Sequence, residues 1–417
     1  MELLIALIGE FVAVLIVPAI TLALELLFPV FALISELVAK VLGIPSLLQP
    51  RRSAGPERKP SPWLRRIGKV LLGLTAATTL LVILLNTVLF EPTLRRGLSR
   101  AREKTGVDVQ FESARGNFLS GAFTLQGVTV KRQDALRSNI DLKIREARAD
   151  VSLVSLMRPT VHVGGLRLVD VQGIYQRGRL KLPRRDFIVD ELIVENASVD
   201  LKEPDTDLPA PALPLKIERL ECRPFRRDSA LFDLLFRSNG QGTLAGAPFE
   251  IRSETLNLGR TTTWKARAIP VAFLAGYLGE PFDWLTSGTV DVDVDDAWSD
   301  GPTTEIDSHW KVDFRDVAAA VPSRITGFKR VVAEPVVRFI QAHPAHLPLE
   351  FHLKLDKGHF TGAASVETTG ILKAAADGML EEMARKAMVP VETLKELGRR
   401  ALDDFKKFVE KRKKKDF

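Results

Sequence analysis

The chain has 417 residues, with 59 Lys and Arg against 52 Asp and Glu and a single cysteine, Cys222. That length holds one large domain or two ordinary ones. The basic residues gather at 51–69, 95–104 and 411–415 and leave the middle nearly balanced, which excludes a nucleic-acid partner because such a face needs a basic stripe over the folded domain. A lone cysteine excludes an internal disulfide and fits no metal or nucleophile pattern, so Cys222 reads as a structural residue.

Residues 1–48 form an N-terminal apolar membrane region, interrupted by Glu10, Glu25, Glu36 and Lys40 and by Pro18 and Pro29. The opening Met1-Glu2 lacks the positive n-region of a cleavable signal peptide. The stretch is long enough for a helical hairpin turning near Phe28-Pro29, or for one kinked or interfacial helix. Residues 49–69 are a Pro-rich linker with seven basic residues against one acid, which the positive-inside rule places in the cytoplasm. Residues 70–90 run 21 positions without a charge, the length of a transmembrane anchor helix. Five basic residues just beyond it, Arg95 to Lys104, weigh the other way but are fewer.

Past the anchor, residues 91–370 read as one β-rich domain. Leu94, Leu98 and Ala101 predict a short helix over 92–104, stopped by Gly106. The period then falls to two, in 107–111, 123–125, 140–144, 147–153, 166–168, 192–194, 197–201, 215–217, 290–294, 312–314 and 351–355. Roughly sixteen strands at about 4.8 Å would make a sheet about 75 Å across. The alternation changes phase near Asn196, which predicts a bulge or turn there. Short helices interrupt at 269–279 and 322–343, and residues 371–417 hold two amphipathic helices, 371–388 and 391–409, with a basic tail. Most such faces dock on their own domain; a partner or membrane surface is the alternative.

The apolar side of these strands carries Phe111, Phe123, Leu125, Leu142, Ile144, Val151, Leu153, Leu166, Leu168, Leu192, Val194, Val199 and Leu201. Further on it carries Val290, Val292, Val294, Val312, Phe314, Phe351, Leu353 and Leu355. Alternation alone fits either a dry core between packed faces or an open trough for acyl chains. No phosphate-cradling glycine loop, G-x-S-x-G, H-E-x-x-H or C-x-x-C occurs, so neither an enzyme nor a cofactor is expected. His343, His346, His352 and His359 lie close in sequence, but Pro344 breaks the helix that would align the first two. His352 falls on the polar side of a strand, and the group reads as solvated loop histidines rather than metal ligands. Asp291, Asp293 and Asp295 lack the Gly and terminal Glu of a calcium loop and read as the outward face opposite Val290, Val292 and Val294.

Gly116-Asn-Phe-Leu-Ser-Gly121 through Gly127-Val128-Thr-Val130, set just after an anchor and its basic helix, resembles the opening of AsmA-family proteins. The phrases at 149–156, 161–168, 192–201, 270–279 and 285–292 follow in the order of that family and its TamB-like relatives. The resemblance implies an anchor in the bacterial inner membrane and, in the periplasm, a long curled antiparallel-type β-sheet with short interrupting helices. Its concave apolar groove would carry the acyl chains of membrane phospholipids in envelope lipid transport or outer-membrane homeostasis. A sheet of about 75 Å is only a segment of a bridge, so spanning an envelope would need a protein partner, self-association or ferrying. The other reading is a membrane-bound scaffold or assembly factor for envelope biogenesis with a dry β core.

Overall fold

The computed structural model describes residues 90–117, 120–134, 138–151, 160–177, 187–202, 212–227, 229–256, 259–271, 284–299, 305–323, 328–356 and 369–386. The apolar N-terminal region, the linker, the 70–89 part of the anchor, most of the expected 269–279 helix and the 391–409 helix lie outside these residues. No described helix is long and apolar enough to cross a membrane.

The first helix, α1 (Phe90–Thr105), buries Phe90, Leu94 and Leu98, which share one face because they recur every four residues. It ends where Gly106 takes a positive φ of 73° and its N–H reaches back to the Arg102 carbonyl at 2.8 Å. Its buried face lies on β1 (Asp108–Gln110) and β2 (Ser113–Asn117), two pieces of one edge strand that both pair with β3 (Ala122–Asp134). A Cβ on Gly116 would sit 2.3 Å from the Phe90 ring, so only glycine lets the helix approach this closely.

The sheet continues through β4 (Ser138–Val151), β5 (Val161–Arg177), β6 (Phe187–Lys202), β7 (Leu213–Cys222), β9 (Ser238–Leu244), β10 (Ala247–Leu256), β11 (Gly259–Pro270), β12 (Leu285–Trp298), β13 (Glu305–Ala319) and β14 (His346–Asp356). The two-residue β8 (Phe225–Arg226) pairs with β6, off the main path. Among the described residues there are fourteen strands, and twelve form the path, so its eleven spacings reach roughly 53 Å. That is shorter than expected from the sequence. The expected antiparallel character also needs correction. β5 and β6 are parallel over the pairs from Val161–Phe187 to Gln176–Lys202, and the sheet is mixed. Period-two alternation is the same for both pairings and could not distinguish them.

Several expected short strands are halves of one long strand. Ile140–Ile144 and Ala147–Val151 are both β4, and the 192–194 and 197–201 runs are both β6. Each of five neighbouring strands shifts its buried face by one position without breaking: Leu125 to Val128, Ile144 to Ala147, Leu168 to Val171, Val194 to Ala197 and Ile217 to Leu220. The shifts lie side by side, because Gln126, Glu146, Val169, Glu195 and Arg219 pair in one row across the sheet. Gly127, Asp170 and Asn196 absorb the step with φ of 61°, 54° and 52°, in the left-handed region that glycine enters freely and Asp and Asn enter more readily than most residues. The bulge expected at Asn196 is thus one stitch in a seam crossing five strands. A second irregular line involves Ala268, Gly288 and Asp316, all with positive φ. Ile269 and Pro270, expected to begin a helix, instead end β11, where a proline can close a strand.

Three more helices lie along the sheet. The seven-residue α2 (Ala230–Phe236) between β8 and β9 was not foreseen. α3 (Phe328–Ala342) stops one residue short of the expected end at His343, ahead of Pro344, while Pro322 and Ser323 of the expected 322–343 helix are not helical. It buries Ala333, Val336, Val337 and Ile340. α4 (Thr369–Lys386) buries Ala375, Met379 and Met383 and lies on β14, where Gly378 meets the Phe351 ring and the Lys386 ammonium donates to the Pro348 carbonyl at 2.5 Å.

Candidate functional site

The apolar residues singled out in the sequence come together on one face. Leu153 lies outside the described residues; the other twenty join a single cluster. Eighteen are buried, while Val292 and Leu353 are half-buried and pack against the rest. Ile174 is the one exposed large apolar side chain among the described residues. The apolar face is therefore covered. α1 lies over its first edge, α3 and α4 lie by β13 and β14, and in α2 the Phe232 ring meets Trp298 edge-on while Phe236 packs tilted against Trp264.

Charges occupy the other face and pair locally. Along the first seam, Arg145 and Asn196 hydrogen-bond Asp170 and hold its carboxyl below the usual range. Arg167 reaches Glu195 at 2.7 Å. Along the second, Arg267 pairs with Asp293 at 2.6 Å, Arg315 with Asp291 at 2.9 Å and His346 with Asp313 at 2.6 Å. Two open cavities indent the sheet. One of about 770 Å³ follows the first seam past Gln126, Lys143, Arg145, Glu146 and Asp170. The other, about 810 Å³, lies at the 259–298–305 margin beside Arg260, Asp307 and Lys354. Both present charged side chains rather than a continuous apolar lining.

His346 and His352 belong to strand β14, not to loops, and His359 lies outside the described residues. The His352 ring stacks on His309 at 4.4 Å, and the His343 ring hydrogen-bonds the Phe339 carbonyl at 3.0 Å. Among the described residues, no three His, Cys, Asp or Glu side chains are grouped to hold a metal. Cys222 is wholly buried, donates to the Asp233 carbonyl at 3.3 Å, and has its thiol pKa pushed up by burial. The Asp233 carboxylate meets Arg226 at 2.7 Å and Arg237 at 3.4 Å and receives the Ser229 hydroxyl at 3.2 Å. Burial raises its pKa, and the two guanidiniums oppose the rise.

One feature of the covered face escaped the sequence reading. Thr262, Asp296 and Ser308 face inward side by side on β11, β12 and β13, each at most 2% exposed. The Thr262 hydroxyl donates to the Phe236 carbonyl at 3.1 Å and accepts from Trp298 Nε1 at 3.2 Å. Ser308 accepts from Trp310 Nε1 at 2.7 Å. Neither Asp296 oxygen makes a well-formed hydrogen bond, although the Ser308 hydroxyl lies close enough to act on the carboxyl. Burial drives its pKa up to about 7, the nearby Ser308 hydroxyl draws it partly back, and the Asp295 charge adds to the rise. Parity was the available signal: Val290, Val292 and Val294 point inward, and Asp296 is the next residue of that series.

No family model matches the chain, and no curated protein does.

Proposed function

We propose that this chain is an inner-membrane-anchored, AsmA-like protein whose periplasmic sheet receives phospholipid acyl chains along its apolar face, in envelope lipid transport or outer-membrane homeostasis. The observation that carries the reading is continuity. The apolar face reaches all twelve strands of the path, through buried side chains on nine of them and through half-buried Leu244, Phe249, Trp264 and Ile269 on β9, β10 and β11. It lies between edges at β1 and β14 that do not pair with each other. Each buried CH₂ contributes about 0.8 kcal/mol, so a long chain binds without any specific contact and slides because no position is much deeper than the next.

Chain connectivity supports a curled sheet. Arg177 ends β5 at one margin, and Phe187 opens β6 beside Val161 at the other. Along a straight strand the sixteen steps from Val161 to Arg177 would separate those margins by roughly 53 Å. The ten steps from Arg177 to Phe187 reach at most about 38 Å. Bending of the strands would close that difference, and the bulge beside Gly164 together with Asp170 and Asn196 would give them places to do so. In this arrangement the helices act as a cover that an incoming chain displaces.

The test is photo-crosslinking in cells with a photoreactive amino acid placed along β6. Lipid adducts are expected at Leu192, Val194, Val199 and Leu201, which face inward, and not at Glu195 or Asp200. A folded, inserted protein without lipid adducts at any inward position would exclude the track. The scaffold reading would then lead. It already draws support from the burial of eighteen of the twenty described candidates by protein alone.

A further inference from the structure

The covered face contains a group that opposes its own burial. Asp296 is 2% exposed, no cation among the described residues meets it, and neither oxygen makes a well-formed hydrogen bond, with the Ser308 hydroxyl as its polar neighbour. Aromatic rings surround the row in which it stands. An ionised carboxylate in such a place is strongly disfavoured until water or a cation reaches it. We propose that Asp296 is a proton-operated latch: when protonated it lets α2 lie closed over the apolar face, and when ionised it draws in water and lifts α2 away. As regulation of an acyl-chain track, the latch rests on the function proposed above.

α2 is the element suited to move. It has seven residues and no side-chain N-cap. Its ties include the Phe236 carbonyl, which accepts from Ser253 at 2.7 Å and Thr262 at 3.1 Å, and the Leu234 carbonyl, which accepts from Ser238. The Asp233 carbonyl accepts from Cys222, and the Asp233 carboxylate meets Arg226 of β8; opening would have to release all of these. Strands β11 to β13, by contrast, are held by ladders along most of their length. The charged groups around Asp296 are few. On its own strand Asp295 points to the opposite face, and on β13 Asp307 and His309 do the same, on either side of Ser308. On β11 the Arg260 guanidinium lies 5.7 Å from the Trp298 ring centre. From α2 and its C-terminal cap come Asp233, already held by Arg226, and Arg237, 5.6 Å from the same ring centre. None of these neutralises Asp296 directly. With its pKa at about 7 in the closed form and 3.8 in water, the open-to-closed ratio rises about tenfold per pH unit between those values.

The chain carries its own reporter. Cys222, the only cysteine, is buried with its Sγ against the Asp233 carbonyl of α2. We would label the full chain in detergent with 5,5′-dithiobis(2-nitrobenzoate) between pH 5.5 and 8.5, dividing each rate by that of a free thiol at the same pH. The wild-type corrected rate should rise at least tenfold over this range, while Asp296→Asn and Asp296→Ala should stay slow and flat. A flat wild-type profile, or a rise that persists in both variants, would overturn the latch. Labelling does not depend on lipid, so a wild-type rise lost in the variants, together with absent lipid adducts on β6, would keep the latch and reject the track.

Discussion

Replacing Asp296 by Asn should stabilise the protein at neutral pH, an unusual outcome for a buried core position. In the folded state the Asp296 pKa is about 7, against 3.8 for the ordinary carboxyl. The folded form therefore holds the extra proton between these values, and stability falls as pH rises through that window. About three units at 1.36 kcal/mol each give roughly 4 kcal/mol as the full loss, complete above pH 7. Asn keeps the volume, never ionises and escapes this loss. Urea unfolding of wild type and Asp296→Asn should give similar midpoints near pH 4. The variant should gain about 2 kcal/mol between pH 5 and 7, and the difference should level off above pH 7. If α2 opens at a lower cost, the gain levels off at that cost, which ties this measurement to Cys222 labelling. A difference that does not vary with pH, or a variant less stable at pH 8, would refute the assignment of Asp296 as a buried, unpaired acid.

Two further substitutions test the packing. Gly173 has a φ of 143°, and a Cβ there would lie 2.0 Å from the Asp141 carbonyl oxygen, so Gly173→Ala should lower stability by about 2 kcal/mol or more by thermal melting. Gly165→Ala on the same strand meets nothing within 4 Å and should stay within about 0.5 kcal/mol of wild type. Asp233→Ala leaves Arg226 and Arg237 without the carboxylate between them and should cost about 3–5 kcal/mol in the same assay.

Much of the apolar face was legible because β-strand side chains alternate and burial enforces the alternation. Phe123, Leu125, Val199 and Leu201 needed no tertiary information to be placed on one side. Three features were not legible. The 140–144 and 147–151 runs look like two strands because a phase step resembles a break, and only the neighbouring steps at Gly127, Asp170 and Asn196 reveal a seam within continuous strands. α2 was missed because seven residues, ALFDLLF, give a helical period too little length to declare itself. Asp296 was missed because an acid beside Asp295 reads as surface unless strand parity is carried one residue further.

The amino-acid sequence by itself determined the strand-forming runs outside β9 to β11, the apolar face they share, the stop of α1 at Gly106 and the end of α3 before Pro344. These are local consequences of backbone geometry and side-chain period, and they need only neighbours in the chain. Tertiary structure alone decided the parallel pairing of β5 with β6, the alignment of bulges into a seam, the covering of the apolar face and the burial of Asp296 without an ion-pair partner. All four depend on which strands lie side by side, and alternation is identical for every such arrangement.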